Sequence, residues 1–168
     1  MSKRNGSLFQ VGDRAVYPAH GVAEVVAIES RDLSGAQKDF YVLKVLHSEM
    51  KLMVPVDGAD RAGLRRIVTA ETAEQVFDVL RSTEVAVKPG PWNRRFREYT
   101  ELVNSGSLME VAKVFRDLWR IRPDRELSYG ERRLLEQSKT LLVAELALAQ
   151  SLEQTAVESA LEGAVAKA

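Results

Sequence analysis

The hydrophobic periodicity of this chain changes once, near residue 70, and that change limits what it can fold into. Before it, short runs rich in β-branched and aromatic residues alternate with turn residues. After it, apolar residues recur at helical spacing over long stretches. A single domain with helices and strands interleaved does not fit such a pattern.

In the first part "RAVYP" (14–18), "GVAEVVAIES" (21–30), "DFYVLKVL" (39–46), "MKLMVPV" (50–56) and "LRRIV" (64–68) read as five strands. Residues 19–21, 32–39, 47–49 and 57–63 supply the connections. Five short strands with little helix predict a small Tudor-like or SH3-like β-barrel. Pro55 cannot donate to a sheet ladder, so "MKLMVPV" is expected at an edge. On it Met50, Leu52, Val54 and Val56 share the core face, and Lys51, Met53 and Pro55 share the other.

In the second part Thr72 with Gln75, Ser107 with Glu110, and Ser128 with Glu131 fit the S/T-x-x-E/Q capping box. They predict helices over about 72–82, 107–121 and 128–150. A further helix is expected from Asn93 to Val103, and the tail adds a short one. Val111, Val114, Phe115, Leu118 and Trp119 form one apolar stripe, and Leu134, Leu135, Leu141, Leu142 and Leu146 another. The fold class is α+β in two domains: a barrel over 1–70 and a compact α-helical bundle over 71–168. A connecting helix and a Pro-Gly linker, "STEVAVKPGP" (82–91), join barrel to bundle.

The 168 residues carry 24 Lys+Arg against 24 Asp+Glu, so any basic surface has to be local. There is no cysteine, hence no disulfide and no thiolate chemistry. No run approaches the roughly 20 apolar residues that span a bilayer. The N-terminal "MSKRNGSLFQ" lacks the apolar core of a secretory signal. A soluble, cytoplasmic protein is expected. The two histidines, His20 and His47, fall in turns without companion metal ligands. No phosphate-binding glycine loop and no nucleophile elbow is present. These readings predict no enzyme, no catalytic residue, no metal and no cofactor.

Two features point to binding. The edge strand could accept a partner strand, with Met53 beside Pro55 as an outward contact; a lone exposed methionine is the plainer reading. The second is "PGPWNRRFR" (89–97), where Trp92, Arg94, Arg95 and Arg97 open a helix without an acidic residue. Arginines there oppose the helix dipole, which calls for a reason. Trp92 could staple the helix entrance, with Asn93 as N-cap, and the arginines could be solvated or stacked on it. Equally, arginine forks suit phosphates, and a flat aromatic suits an unpaired base or a disturbed base step. Arg132 and Arg133 add a second basic pair.

Together "FQVGDRAVYPAHGVAEVVAIE", "FYVLKVL", "MKLMVPV", "PWNRRFREY", "RDLW" and "LSYGERRLL" resemble the bacterial CarD/CdnL family of transcription regulators. The match runs from about Phe9 to about Ala149. The resemblance implies a Tudor-like domain that pairs an exposed strand with the β subunit of RNA polymerase, at Arg31, Lys51, Met53 and Pro55. It implies a helical domain that contacts promoter DNA weakly, with little sequence preference, at the upstream edge of the transcription bubble. Trp92 would be the family's minor-groove wedge, with Arg94, Arg95 and Arg97 on flanking phosphates and Tyr129, Arg132 and Arg133 nearby. Apolar Met53 resembles the myxobacterial members rather than those with arginine there. Those members carry apolar residues where Thr100 and Tyr129 stand. A monomer that stabilises the open promoter complex is the expected activity. The alternative is a polymerase-bound adaptor in which Trp92 is a protein hot spot.

Overall fold

In a computed structural model the described residues are 8–166. The basic N-terminal residues 1–7 therefore lie outside them. The chain divides into two compact units between Ile67 and Val68.

The first unit is one antiparallel sheet. Its strands are β1 (Arg14–Tyr17), β2 (Gly21–Leu33), β3 (Ala36–Val45), β4 (Lys51–Pro55) and β5 (Arg65–Arg66), in the order β4-β3-β2-β1-β5. Phe9, Ala15, Ala23, Val25, Tyr41, Leu43, Val45, Val54, Ala59 and Leu64 make a single buried cluster. Val54 comes from one edge strand and Leu64 adjoins the other, so the sheet wraps one core, as a small barrel must. Phe9 caps it edge-on against Tyr41, with ring centroids 5.8 Å apart.

The hairpin between β2 and β3 is longer than the sequence pattern predicts. Residues 32–39 are mostly ladder, and the chain reverses at Ser34 (φ 53°) and Gly35 (φ 82°). A two-residue turn with positive φ at both positions matches the twist of the paired strands. This arm is exposed on both faces, so main-chain pairing holds it and no hydrophobic alternation marks it. Both histidines lie in turns; His20 stacks on Tyr17.

The second unit holds α1 (Ala70–Arg81), α2 (Trp92–Val103), α3 (Leu108–Ile121), α4 (Tyr129–Gln150) and α5 (Gln154–Ala166). Three caps correct or sharpen the sequence reading. α1 is capped by Thr69, whose hydroxyl accepts from Thr72 N, one turn before the predicted Thr72–Gln75 box. Ser107 caps α3, and Ser128 with Glu131 forms a complete box at α4. α2 has no side-chain cap: Pro91, not Asn93, occupies that position, and Trp92 is its first helical residue.

Val111, Val114, Phe115 and Leu118 are buried in the helical core, whereas Trp119 packs at its margin. There its ring stacks on Phe115 and lies 3.3 Å beneath the Arg122 guanidinium. The 82–91 segment is not a free linker. Asp117 of α3 accepts hydrogen bonds from the main-chain N–H groups of Ala86 and Val87 at 2.9 and 3.4 Å, and Val87 is buried. Arg116 reaches Val79 O and pairs with Asp117, and Arg120 donates to Leu80 O and Ser82 O. Arg116, Asp117 and Arg120 of α3 thus clamp the end of α1 and the segment after it.

Candidate functional site

Two exposed surfaces gather the residues singled out in the sequence, one in each unit.

The helical surface forms where the N-termini of α2 and α4 meet. Trp92 lies on the same side of α2 as the buried Tyr99 and Val103, at about 100° per residue, but past the end of the core. Phe96, one turn on, tilts against it with centroids 5.3 Å apart. The rings remain 38% and 39% exposed, and Tyr129, the first residue of α4, is 68% exposed. Trp92 and Phe96 thus form an exposed aromatic pair near the start of α4. Beneath the two α2 rings lies Gly130, where a Cβ would fall 3.1 Å from Phe96 and 3.3 Å from Trp92. Arg133 holds its guanidinium 5.9 Å from the Tyr129 ring.

The start of α4 is firmly held. The Glu131 carboxylate accepts from Arg125 Nη1 and Nη2 at 2.8 and 2.7 Å and from Ser128 N at 3.0 Å. The Arg125 pair, chiefly, pulls the Glu131 carboxyl down to about 2, and burial opposes that fall. Burial, followed by the Asp117 charge, raises the Tyr99 hydroxyl, and Arg95 beside it pulls the other way.

The helix disperses the three arginines that the sequence places together. Arg94 turns back to donate to Lys88 O and Pro89 O at 3.1 and 2.8 Å, bracing the Pro-Gly turn. Arg95 folds inward over the Tyr99 ring, 5.9 Å from its centroid, and lines a cavity of about 470 Å³ with Asp117, Arg120 and Arg125. Arg97 is exposed. With no acidic residue in the first turn and no side-chain cap, the positive end of the α2 dipole is uncompensated beside Trp92. Arg132 diverges from Arg133 and borders a separate groove with Arg122, Arg125 and Leu127. Thr100 spends its hydroxyl on Phe96 O at 2.7 Å.

The surface of the first unit is the outer face and open edge of the sheet. Val45 N donates to Met50 O and Val56 N to Asp39 O, so even-numbered residues of β4 bond to β3. The main-chain groups of Lys51 and Met53, and the carbonyl of Pro55, therefore face the open edge. Pro55 stands where its missing N–H leaves no ladder bond unmade. Pro55 pairs with Phe40, Phe40 with Glu29, and Lys38 with Arg31. Cross-strand partners share a face, so Arg31, Lys51, Met53 and Pro55 all lie on the outer one. Met53 is 40% exposed, whereas Val54 is buried. Met50, read as a core residue, precedes the strand and is exposed.

Phe96 and Gly130 belong to the aromatic surface and escaped the sequence reading of the site. Phe96 had a signal, the i, i+4 spacing from Trp92. Gly130 had none, because its role depends on another helix. Among the described residues no group of acidic or histidine side chains could hold a metal, and no helix is long and apolar enough to cross a membrane.

Both units resemble known protein domains. Residues 75–162 match the CarD C-terminal domain, and residues 9–68 match the CarD-like/TRCF RID domain. YdeB of Bacillus subtilis (strain 168), named as a transcription factor, is 26% identical over 152 residues, which cover 90% of this chain and 99% of YdeB. The solved CdnLNt of Myxococcus xanthus is 43% identical over 36% of this chain and 84% of its own, with a TM-score of 0.31. The chain therefore belongs to the CarD family of transcription regulators that interact with RNA polymerase.

Proposed function

We propose that this protein docks on the β subunit of RNA polymerase through the open β4 edge and applies its Trp92 surface to promoter DNA at the upstream edge of the melted region, prolonging the open complex. The observation that carries this reading is the exposed Trp92–Phe96–Tyr129 cluster at an uncompensated helix N-terminus. Aromatic faces accept a base or enter an opened base step, while the dipole, Arg97 and Arg133 favour phosphates. None of these groups reads a base code, in keeping with weak sequence preference.

The edge strand supports the other half. Lys51 and Met53 offer a partner strand two N–H and two C=O groups, and the outward side chains supply selectivity. Docking raises the local concentration of the helical unit at the promoter, so a chain without net charge need not bind free DNA tightly. A wedge favours melted DNA only by differential affinity, and about 1.4 kcal/mol shifts the equilibrium tenfold. No step of this activity calls for catalysis or a cofactor. It is carried out in the cytoplasm, wherever polymerase meets a promoter.

The test is the open-complex lifetime on a ribosomal RNA promoter with cognate polymerase. Wild type should lengthen it, Trp92→Ala should return it toward baseline with polymerase binding intact, and Arg31→Glu/Met53→Glu should lose both. Wild type that binds polymerase without changing the lifetime would refute the DNA half.

A further inference from the structure

We infer that Gly130 sets the orientation of Trp92 and is a positioning residue for the DNA contact proposed above. Its functional half rests on that proposal, and its geometric half stands on the packing alone.

Gly130 sits in the first turn of α4 and is not among the glycines with positive φ. The backbone there makes no demand for glycine, and alanine is the better helix former. What glycine supplies is the missing Cβ. That atom would lie 3.1 Å from Phe96 Cε2 and 3.3 Å from Trp92 Cζ2, closer than ordinary van der Waals contact. One side of the contact has to give. The start of α4 is held by Ser128, Glu131 and the two-pronged Arg125, so it resists. The two rings are each more than a third exposed, and rotation toward solvent relieves them. A single methyl at 130 therefore turns Trp92 and leaves the helix in place. Its effects on stability and on function have opposite signs, which a plain core position would not show.

The experiment replaces both tryptophans of the full chain with 5-fluorotryptophan and follows them by fluorine NMR, with Trp92→Phe to assign the signals. Trp119, held between Phe115 and Arg122, is the internal control. Gly130→Ala should shift the Trp92 signal, leave that of Trp119 unchanged and keep or raise the melting midpoint. It should also shorten the open-complex lifetime severalfold toward the Trp92→Ala value without changing polymerase affinity. Phe96→Leu should reproduce the Trp92 shift without touching α4. The inference is overturned if Gly130→Ala leaves the Trp92 signal and the lifetime at wild-type values, or lowers the midpoint while moving both signals. If Trp92→Ala itself keeps the wild-type lifetime, the proposed DNA contact fails, and the Trp92 signal alone decides the role of Gly130.

Discussion

Arg94 and Arg97 are three residues apart, equally basic, and do different things. The guanidinium of Arg94 is occupied by two loop carbonyls and closes over Gly90, where a Cβ would fall 2.0 Å from its Nη2. Arg97 projects into solvent, free to meet a phosphate. Arg97→Ala should reduce the slope of log affinity against log salt for forked DNA by about one, and Arg94→Ala should instead loosen the 88–90 turn, read as faster amide exchange there. Buried Asp117 presents the opposite case, since it holds both the Arg116 guanidinium and the N–H groups of Ala86 and Val87. Asp117→Ala strips Arg116, itself 2% exposed, of its ion pair and frees the Ala86 and Val87 N–H groups. Removing one partner of a buried pair typically costs about 3–5 kcal/mol, which urea denaturation would register as a lower midpoint. Neither difference is legible in the sequence. Which arginine is spent on a carbonyl and which aspartate is buried depend on residues up to 31 positions away.

At the scale of elements, the start of α4 couples fold and site. Glu131 is held at about 2 in the folded chain, below the ordinary 4.5. A depressed carboxylate contributes stability that is fully present above its unfolded value and lost as pH falls through the folded one. The melting midpoint should therefore drop between about pH 4.5 and pH 2, and Glu131→Gln should lower it at neutral pH and flatten that part of the profile. The box residues were readable because a capping box is a local pattern, four residues long. The start of α2 was misread for the same reason. Asn93 is the better cap by composition, yet Pro91 fixes the entry and sets Trp92 rather than Asn93 at the first helical position. That one-residue difference puts the indole at the exposed end of the core-facing side of the helix.

At the scale of the molecule, the two buried clusters share no residue. The helical cluster draws only on residues from 73 to 165, with Val68 among those packed against it. Residues 68–168 expressed alone should thus melt cooperatively, with calorimetric and van't Hoff enthalpies equal. That fragment should bind forked DNA weakly in a salt-dependent manner, and should fail to extend open-complex lifetime at concentrations where the whole protein does. On the proposed reading, joining a polymerase-docking unit to a DNA-contacting unit would let each remain weak by itself.

The sequence by itself determined the order and kind of the elements, the edge position of β4 and the outward side of Lys51, Met53 and Pro55. Those properties follow from period, propensity and proline, which act over a few residues. The folded structure decided that Arg94 turns back onto the Pro-Gly turn and Arg95 folds inward, that the 82–91 segment is clamped rather than free, and that Trp92 and Phe96 rest on Gly130. The clamp and the Gly130 contact join segments far apart in the chain, and the Arg94 contact reaches back across the Pro-Gly turn. Steric fit and hydrogen-bond partnership across such distances leave no local pattern to read.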